Sequence, residues 1–168
     1  EERRRFMDAL FSQVDHEYLM QLIRYNRLLL QRNSLLKQMA ETGNRNQELL
    51  DVLDAQMIPA AEYVFGKRRS FLQDLLAVIG SRYSTIAGEN YNLQLQYESS
   101  LLQDPFPEIL RRNRQRDLQA QRTQQGIHRD DILISLNDQP FKQIASQGQR
   151  KSLLFAFKLA EFDRLREA

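Results

Sequence analysis

Residues 15–43, DHEYLMQLIRYNRLLLQRNSLLKQMAETG, decide the fold. Leu19, Leu22, Ile23, Leu29, Leu30, Leu36 and Met39 recur at a spacing that suits one face of a helix. Asp15 suits the start of that helix, because its carboxylate accepts from first-turn amides, and Gly43 suits the stop, because glycine enters the left-handed backbone that ends helices. Upstream, Phe6, Leu10, Phe11 and Val14 form a shorter amphipathic piece. A turn is expected over residues 41–46. The return limb carries Leu49, Leu50, Leu53, Met57, Val64, Phe71, Leu75, Leu76 and Ile79. Pro59 lacks an N–H and crowds the preceding turn, so it is expected to kink or restart this limb. A limb of about 40 residues is about 60 Å long at 1.5 Å per residue, more than most globular domains need. The pattern predicts a projecting two-helix antiparallel arm over residues 15–87, broken or bent near Pro59.

After Gly88 the period changes. Tyr91, Leu93, Leu95 and Tyr97 alternate with Asn92, Gln94, Gln96 and Glu98, the mark of a half-buried strand. A third helix is expected from about Pro107, a favoured first-turn residue, through Arg111, Arg112, Arg114, Arg116 and Arg122. Ile132, Ile134 and Leu136 alternate again, and Asn137-Asp138 offers a hairpin turn before a second strand at Phe141–Ile144. A last helix starts at Gln147, with Ser146 and Gln149 at capping-box spacing. The fold class expected is mainly α with a few strands, and no internal repeat is evident.

Composition bounds the function. A chain of 168 residues buries roughly 70% of the surface its unfolded form exposes, enough for a proper core. Apolar residues at 42% and charged residues at 27% are ordinary for a folded chain. No apolar stretch runs beyond about five residues, as in Leu153–Phe157, far short of the ~20 residues that span a bilayer, so no membrane role is expected. With no cysteine, disulfide frameworks, thiolate zinc sites and a cysteine nucleophile are excluded together, and a reducing compartment is compatible. A net charge of +2 is too small to establish a nucleic-acid partner, which leaves the local distribution of cations to decide. The chain opens Glu1-Glu2-Arg3-Arg4-Arg5 without an initiator methionine and closes at Glu167-Ala168 in expected helix, so both ends read as cut.

Three groups of residues invite chemistry. Ser146, Gln147, Gly148, Gln149, Arg150 and Lys151 combine a hydroxyl, an unhindered glycine and first-turn backbone amides, the parts of an anion site; they also make an ordinary helix cap. His128 stands beside Arg129, Asp130 and Asp131. A metal site there is rejected, because the only other histidine, His16, is remote in sequence and no second ligand spacing is present. The simpler reading has Asp130 or Asp131 pairing with Arg129 at the strand entry. The arginines at 111, 112, 114 and 116, with Lys67, Arg68 and Arg69, are either a solvated face or contacts to a DNA backbone, which needs only clustered cations.

Ser146–Lys151 with Ser152-Leu153-Leu154-Phe155-Ala156-Phe157-Lys158-Leu159-Ala160-Glu161 resembles the signature helix of the RecF family, a branch of the ABC-type ATPases related to the SMC proteins. Gly126-Ile127-His128-Arg129-Asp130-Asp131 resembles that family's Gly-Pro-His-Arg-Asp-Asp segment, with Ile127 replacing the usual proline. Arg3-Arg4-Arg5-Phe6-Met7-Asp8 resembles its Arg-Arg-x-Phe-Leu-Asp helix, and Tyr25, Leu30, Arg32, Asn33 and Leu35-Leu36-Lys37 resemble its arm pattern. The segments stand in the family's order and span the chain. No stretch fits the phosphate-cradling Gly-x-x-x-x-Gly-Lys-Ser/Thr: Gly66-Lys67 is followed by Arg68, and Ala61 stands where the first glycine belongs. The apolar strand ending in paired aspartates is absent as well.

The resemblance implies a connection over residues 1–14, a helical arm with one strand over 15–124, and part of an ABC-type ATPase lobe over 125–168. It implies that Ser146, by its hydroxyl, and Gly148 and Gln149, by their amides, meet the γ-phosphate of ATP held with Mg2+ on the partner subunit, while Arg150 and Lys151 add positive potential or form salt bridges. His128, Arg129, Asp130 and Asp131 fall near that interface by resemblance alone. An intact protein of this kind is a cytoplasmic, ATP-dependent homodimer in DNA repair, replication, recombination and the SOS response. It clamps duplex DNA near single-stranded gaps and cooperates with RecR and RecO to load RecA. The fragment itself, without the two nucleotide-binding segments in cis, is expected neither to bind ATP tightly nor to hydrolyse it. The alternative is a non-catalytic helical interaction module whose last helix is merely capped.

Overall fold

The computed structural model describes residues 1–43, 46–88 and 92–167. The elements are α1 (Glu2–Val14), α2 (His16–Thr42), α3 (Gln47–Ala87), β1 (Leu93–Glu98), α4 (Phe106–Ala120), β2 (Asp131–Leu136), β3 (Gln139–Pro140), α5 (Phe141–Ile144) and α6 (Gln147–Glu167), with short 3-10 turns at Ser100–Leu102 and Ile127–Arg129. The chain divides into two compact units, one of residues 1–14, 68–98 and 131–168, the other of residues 15–67 and 99–130.

In the second unit α2 begins as expected, with the Asp15 carboxylate accepting from the Tyr18 amide at 2.9 Å. It ends at Gly43, whose φ of 70° is left-handed and whose N–H returns to the Met39 carbonyl. Asn44 and Arg45 of the expected turn lie outside the described residues. The two limbs are antiparallel: Lys67 of α3 pairs with Asp15 at the head of α2, and Arg32 pairs with Asp54 farther along. α4 packs with them, its Phe106 ring 6.3 Å from that of Tyr25 and its Asp117 carboxylate 2.7 Å from Arg32.

The buried face of α2 differs from the expected one. Tyr18, Tyr25, Leu28, Arg32, Leu35, Leu36 and Met39 are inside, whereas Ile23 and Leu30 are 53% and 72% exposed. The seam follows steps of three, four and seven residues through a tyrosine pair and an arginine, which an apolar count alone passes over. α3 is likewise not restarted at Pro59 and runs unbroken for 41 residues. Pro59 and Ala55, one turn before it, are both exposed, so the carbonyl that loses its amide partner is left to water.

The first unit holds the sheet, in the order β1-β2-β3 and antiparallel throughout. Leu93, Leu95 and Tyr97 lie opposite Leu136, Ile134 and Ile132. Gln94, Gln96 and Glu98 are exposed, so the alternation holds over the described strand, while Tyr91 lies outside the described residues. By this pairing the strand belongs with the first unit and not with the arm over 15–124. Asn137 and Asp138, at φ 50° and 62°, form the hairpin turn. The strand after it stops at Pro140 and residues 141–144 are the helix α5, not strand. Proline has no N–H with which to extend the ladder. α1 packs on α3 and α6 through Phe11 with Phe71, rings 5.0 Å apart, and Phe6 with Phe157, 5.1 Å apart edge to face. Arg68, buried to 1% exposure, meets Asp8 at 2.7 Å. α6 buries Leu153, Ala156, Phe157 and Ala160 on this side and leaves Leu154, Phe155, Leu159 and Phe162 exposed on the other. Among the described residues no helix is long and apolar enough to cross a membrane.

Candidate functional site

The first turn of α6 is a reciprocal cap. The Gln149 amide donates to Ser146 Oγ at 3.2 Å, and the Ser146 amide donates to Gln149 Oε1 at 2.8 Å. Because Ser146 Oγ accepts within the cap, its own O–H proton stays free to donate outward. Gln147 and Gly148 are first-turn residues whose amides have no intrahelical acceptor, and both are exposed. A Cβ at Gly148 would meet nothing nearer than Ser146 Oγ at 3.9 Å. Nothing within the chain therefore requires glycine there, although glycine costs a helix up to about 1 kcal/mol relative to alanine. Arg150 turns back and donates from Nη2 to the Lys142 carbonyl at 3.0 Å, bracing the step from α5 into α6. Lys151 is exposed. These donors fit an anion such as a terminal phosphate. They do not fit Mg2+: among the described residues no group of three or more carboxylates and histidines is placed to hold a metal ion.

The residues of the Gly126–Asp131 segment are not brought together as one group. His128, half-buried in the second unit, sits between Tyr25 Oη, 2.7 Å from its Nδ1, and the Thr123 carbonyl, 3.1 Å from its Nε2. A carbonyl only accepts, so Nε2 carries a proton, and in the neutral imidazole Nδ1 then accepts from Tyr25. Gly126 has φ 139°, and a Cβ there would stand 2.5 Å from Tyr25 Oη, so the Tyr25–His128 contact as placed leaves room only for glycine. Arg129 is exposed and Asp130 buried. Asp131 belongs to the first unit and pairs with Arg3, Nε to Oδ1 at 2.8 Å, not with Arg129. Burial raises the Asp131 carboxyl, but the Arg3 hydrogen bond and the Ile132 amide outweigh it and hold the group below the ordinary carboxylate range.

The cations offered for DNA contact are mostly committed elsewhere. Arg111 pairs with Glu108 one turn back, Arg112 with Asp104, and Arg114 with Asp51 and Asp54. Lys67 pairs with Asp15 and lies 5.5 Å from the Tyr63 ring centre. Arg68 is not the surface cation expected: buried in the core with Asp8, it has no surface to offer a duplex. Arg69 and Arg116 are exposed.

The strongest polar arrangement was not singled out from the sequence. Arg32, fully buried, donates to Asp54 at 2.6 Å, to Asp117 at 2.7 Å and to Thr123 Oγ1 at 2.8 Å, while Asn33 accepts from the Thr123 amide at 2.7 Å. The signal was an arginine in phase with Tyr25, Leu28, Leu35 and Leu36. Burial raises the Asp117 carboxyl above its ordinary value, against the pull of the Gln124 amide and Arg32.

No family model matches the chain. Among curated proteins it is similar to the DNA replication and repair protein RecF of Cytophaga hutchinsonii, 38% identical over 99% of this chain and 44% of the relative. RecF of Flavobacterium johnsoniae is 36% identical over 99% of this chain and 46% of the relative, and RecF of Phocaeicola vulgatus 42% identical over 98% and 44%. Two solved structures of the recombination mediator protein RecF in the RecFOR pathway superpose well. The one with ATP has a TM-score of 0.89 and 28% identity over 99% of this chain and 46% of that one; the one with ATPrS has 0.90 and 29%, over 99% and 47%. The chain thus spans about half the length of the relatives it matches. With this identity along its length, and with the capped helix and the Arg3, Arg32 and His128 segments in the expected order, the chain is similar from end to end to about half of RecF, a DNA replication and repair protein.

Proposed function

We propose that this chain supplies the helical arm and the signature helix of an ATP-dependent DNA-binding repair protein, and that its Ser146–Gln149 turn completes the nucleotide site of a second subunit. The observation that carries this reading is Gly148: a glycine in an exposed helix turn, with open space where its Cβ would stand, suits the close approach of a group from outside the chain. ATP held on the partner supplies a γ-phosphate that spans the two subunits. Toward it Ser146 donates its hydroxyl and Gly148 its amide; the Gln149 amide expected beside them is spent on Ser146 Oγ in the cap, so the Gln147 amide takes its place. Nucleotide thereby shifts the population toward a closed homodimer. That dimer clamps duplex DNA near single-stranded gaps and works in the cytoplasm with RecR and RecO to load RecA. In this reading Mg2+ accompanies the ATP on the partner subunit. The family resemblance and the RecF names of the relatives support this reading.

The test is Ser146→Arg in a chain of the relatives' full length. The substitution leaves ATP binding to the monomer intact and abolishes ATP-dependent dimerisation and turnover, because the added side chain fills the space the phosphate enters. If the turn were only a cap, the variant would melt earlier yet dimerise and turn over normally, and the assignment would fail.

A further inference from the structure

We infer that the hollow at the C-terminal end of α4 is a seat for a nucleic-acid phosphodiester, and that Arg116 is its cation. The inference rests on the nucleic-acid part of the proposed function and narrows it to one end of one helix.

α4 carries its charge in two halves. Over the first, Arg111 and Arg112 are neutralised by Glu108 and Asp104, and Arg114 by Asp51 and Asp54. A guanidinium already engaged by a carboxylate must give up that partner before it can serve a phosphate. Over the second half no such partner exists: Arg116 is exposed and takes part in no ion pair among the described residues, and Arg122, in the loop just beyond, is in the same position. Arg116 lines an open hollow of about 460 Å³ with Asn113, Gln119, Ala120, Gln124 and Gln125. The lining holds one cation, four side-chain amides and no carboxylate. The nearest acid in sequence, Asp117, is buried beneath it, where it accepts from the Gln124 amide at 2.9 Å and from Arg32.

This donor set has a direction. Asn113 spends its Nδ2 on the Ile109 carbonyl at 2.8 Å, which leaves its oxygen as the free end, and Gln124 directs its Nε2 to the Arg122 carbonyl at 3.3 Å. Gln119 and Gln125 keep amide donors uncommitted beside Arg116. A guanidinium with neutral amide donors matches phosphodiester oxygens, and the remaining amide oxygens can accept from a sugar hydroxyl or a base edge. The loop that carries Gln124 and Gln125 is fixed from below, because Thr123 is tied to Arg32 and Asn33.

The experiment measures binding of the 168-residue chain to a 30-base-pair duplex and to a 30-nucleotide single strand, by fluorescence anisotropy across a salt series. Arg116→Ala removes one phosphate contact. On the duplex, affinity falls about eightfold at 0.1 M salt and the logarithmic salt slope shrinks by about 0.9; on the single strand the slope shrinks by about 0.7. Whichever probe shows its own signature is the source of the phosphodiester. Gln119→Ala with Gln125→Ala lowers affinity roughly threefold at an unchanged slope, since neutral donors release no counterions. Arg111→Ala with Arg112→Ala changes neither. All six side chains except Asn113 and Gln124 are exposed, and a thermal melt of each variant checks that the fold is kept. Affinity and slope unmoved by Arg116→Ala, or moved equally by Arg111→Ala with Arg112→Ala, overturns the inference and leaves nucleic-acid binding standing. A chain that binds neither probe overturns the inference alone, because the proposed clamp closes only with nucleotide in a chain of the relatives' full length and is tested there by Ser146→Arg.

Discussion

Replacing Arg32 with methionine keeps most of the buried volume and removes the charge on which two acids depend. Asp117 then retains only the Gln124 amide, and Asp54 only Arg114, 3.0 Å away. Breaking a buried ion pair from one side costs about 3–5 kcal/mol, because the uncompensated partner stays behind. The remaining contact at Asp54, and the ease with which a raised Asp117 takes up a proton, set the expected loss near the lower end, about 3 kcal/mol. At a urea dependence of about 2 kcal/mol per molar, the unfolding midpoint falls by about 1.5 M. The sign of the pH dependence follows from Arg32's pull on Asp117: burial raises that carboxyl even with Arg32 lowering it, and without Arg32 it rises further. An acid harder to ionise in the folded state costs stability as pH climbs from its unfolded value through its folded value, and costs nothing below both. The deficit of Arg32→Met relative to the parent is therefore largest at neutral pH and narrows toward pH 4. Adding Asp117→Asn recovers part of it. Urea melts at pH 7 and pH 4 decide the matter: a loss under about 1 kcal/mol, or one of equal size at both pH values, refutes the reasoning.

Gly126→Ala is expected to destabilise by about 1–3 kcal/mol, from overpacking against Tyr25 and from a left-handed φ, and Tyr25→Phe should restore part of that loss in a double variant; chemical denaturation that finds the two changes additive counts against the contact. Asp131 is held below its ordinary value, so its contribution is present above about pH 4 and disappears as pH falls through the folded value. Asp131→Asn should accordingly flatten the acid side of a stability–pH profile, and an unchanged acid limb would show that Arg3 contributes nothing. Ser146→Ala removes one half of the α6 cap and should lower stability by about 1 kcal/mol, a shift of roughly 2–4 °C in calorimetry.

The capped ends of helices were legible because capping is local chemistry. Asp15, Gly43 and the Ser146–Gln149 pair each act within four residues, and the Asn137-Asp138 turn needed only its own two positive φ angles. What lies inside was harder to read. Counting apolar residues put Ile23 and Leu30 in the core of the arm and left Tyr18, Tyr25 and Arg32 out, because burial of polar side chains depends on partners distant in sequence: Asp117 for Arg32 and His128 for Tyr25. The same blindness counted Arg68 as a surface cation when Asp8 holds it in the core. Around Ser146 the sequence carried the residues and their spacing. The open space over Gly148 required coordinates.

The order in which the segments leave the ribosome follows from how the units are threaded. All of the second unit, residues 15–67 and 99–130, has been synthesised before β2 begins at Asp131. Its three helices and the Arg32 network can close while the first unit still lacks β2, β3 and α6. Until then β1 waits with an open edge, since its register partners run from Asp131 to Leu136. A nascent chain halted after residue 130 is thus a folded arm attached to an unfinished sheet, and its exposed β1 edge is the place where a chaperone, or another nascent chain, would first take hold.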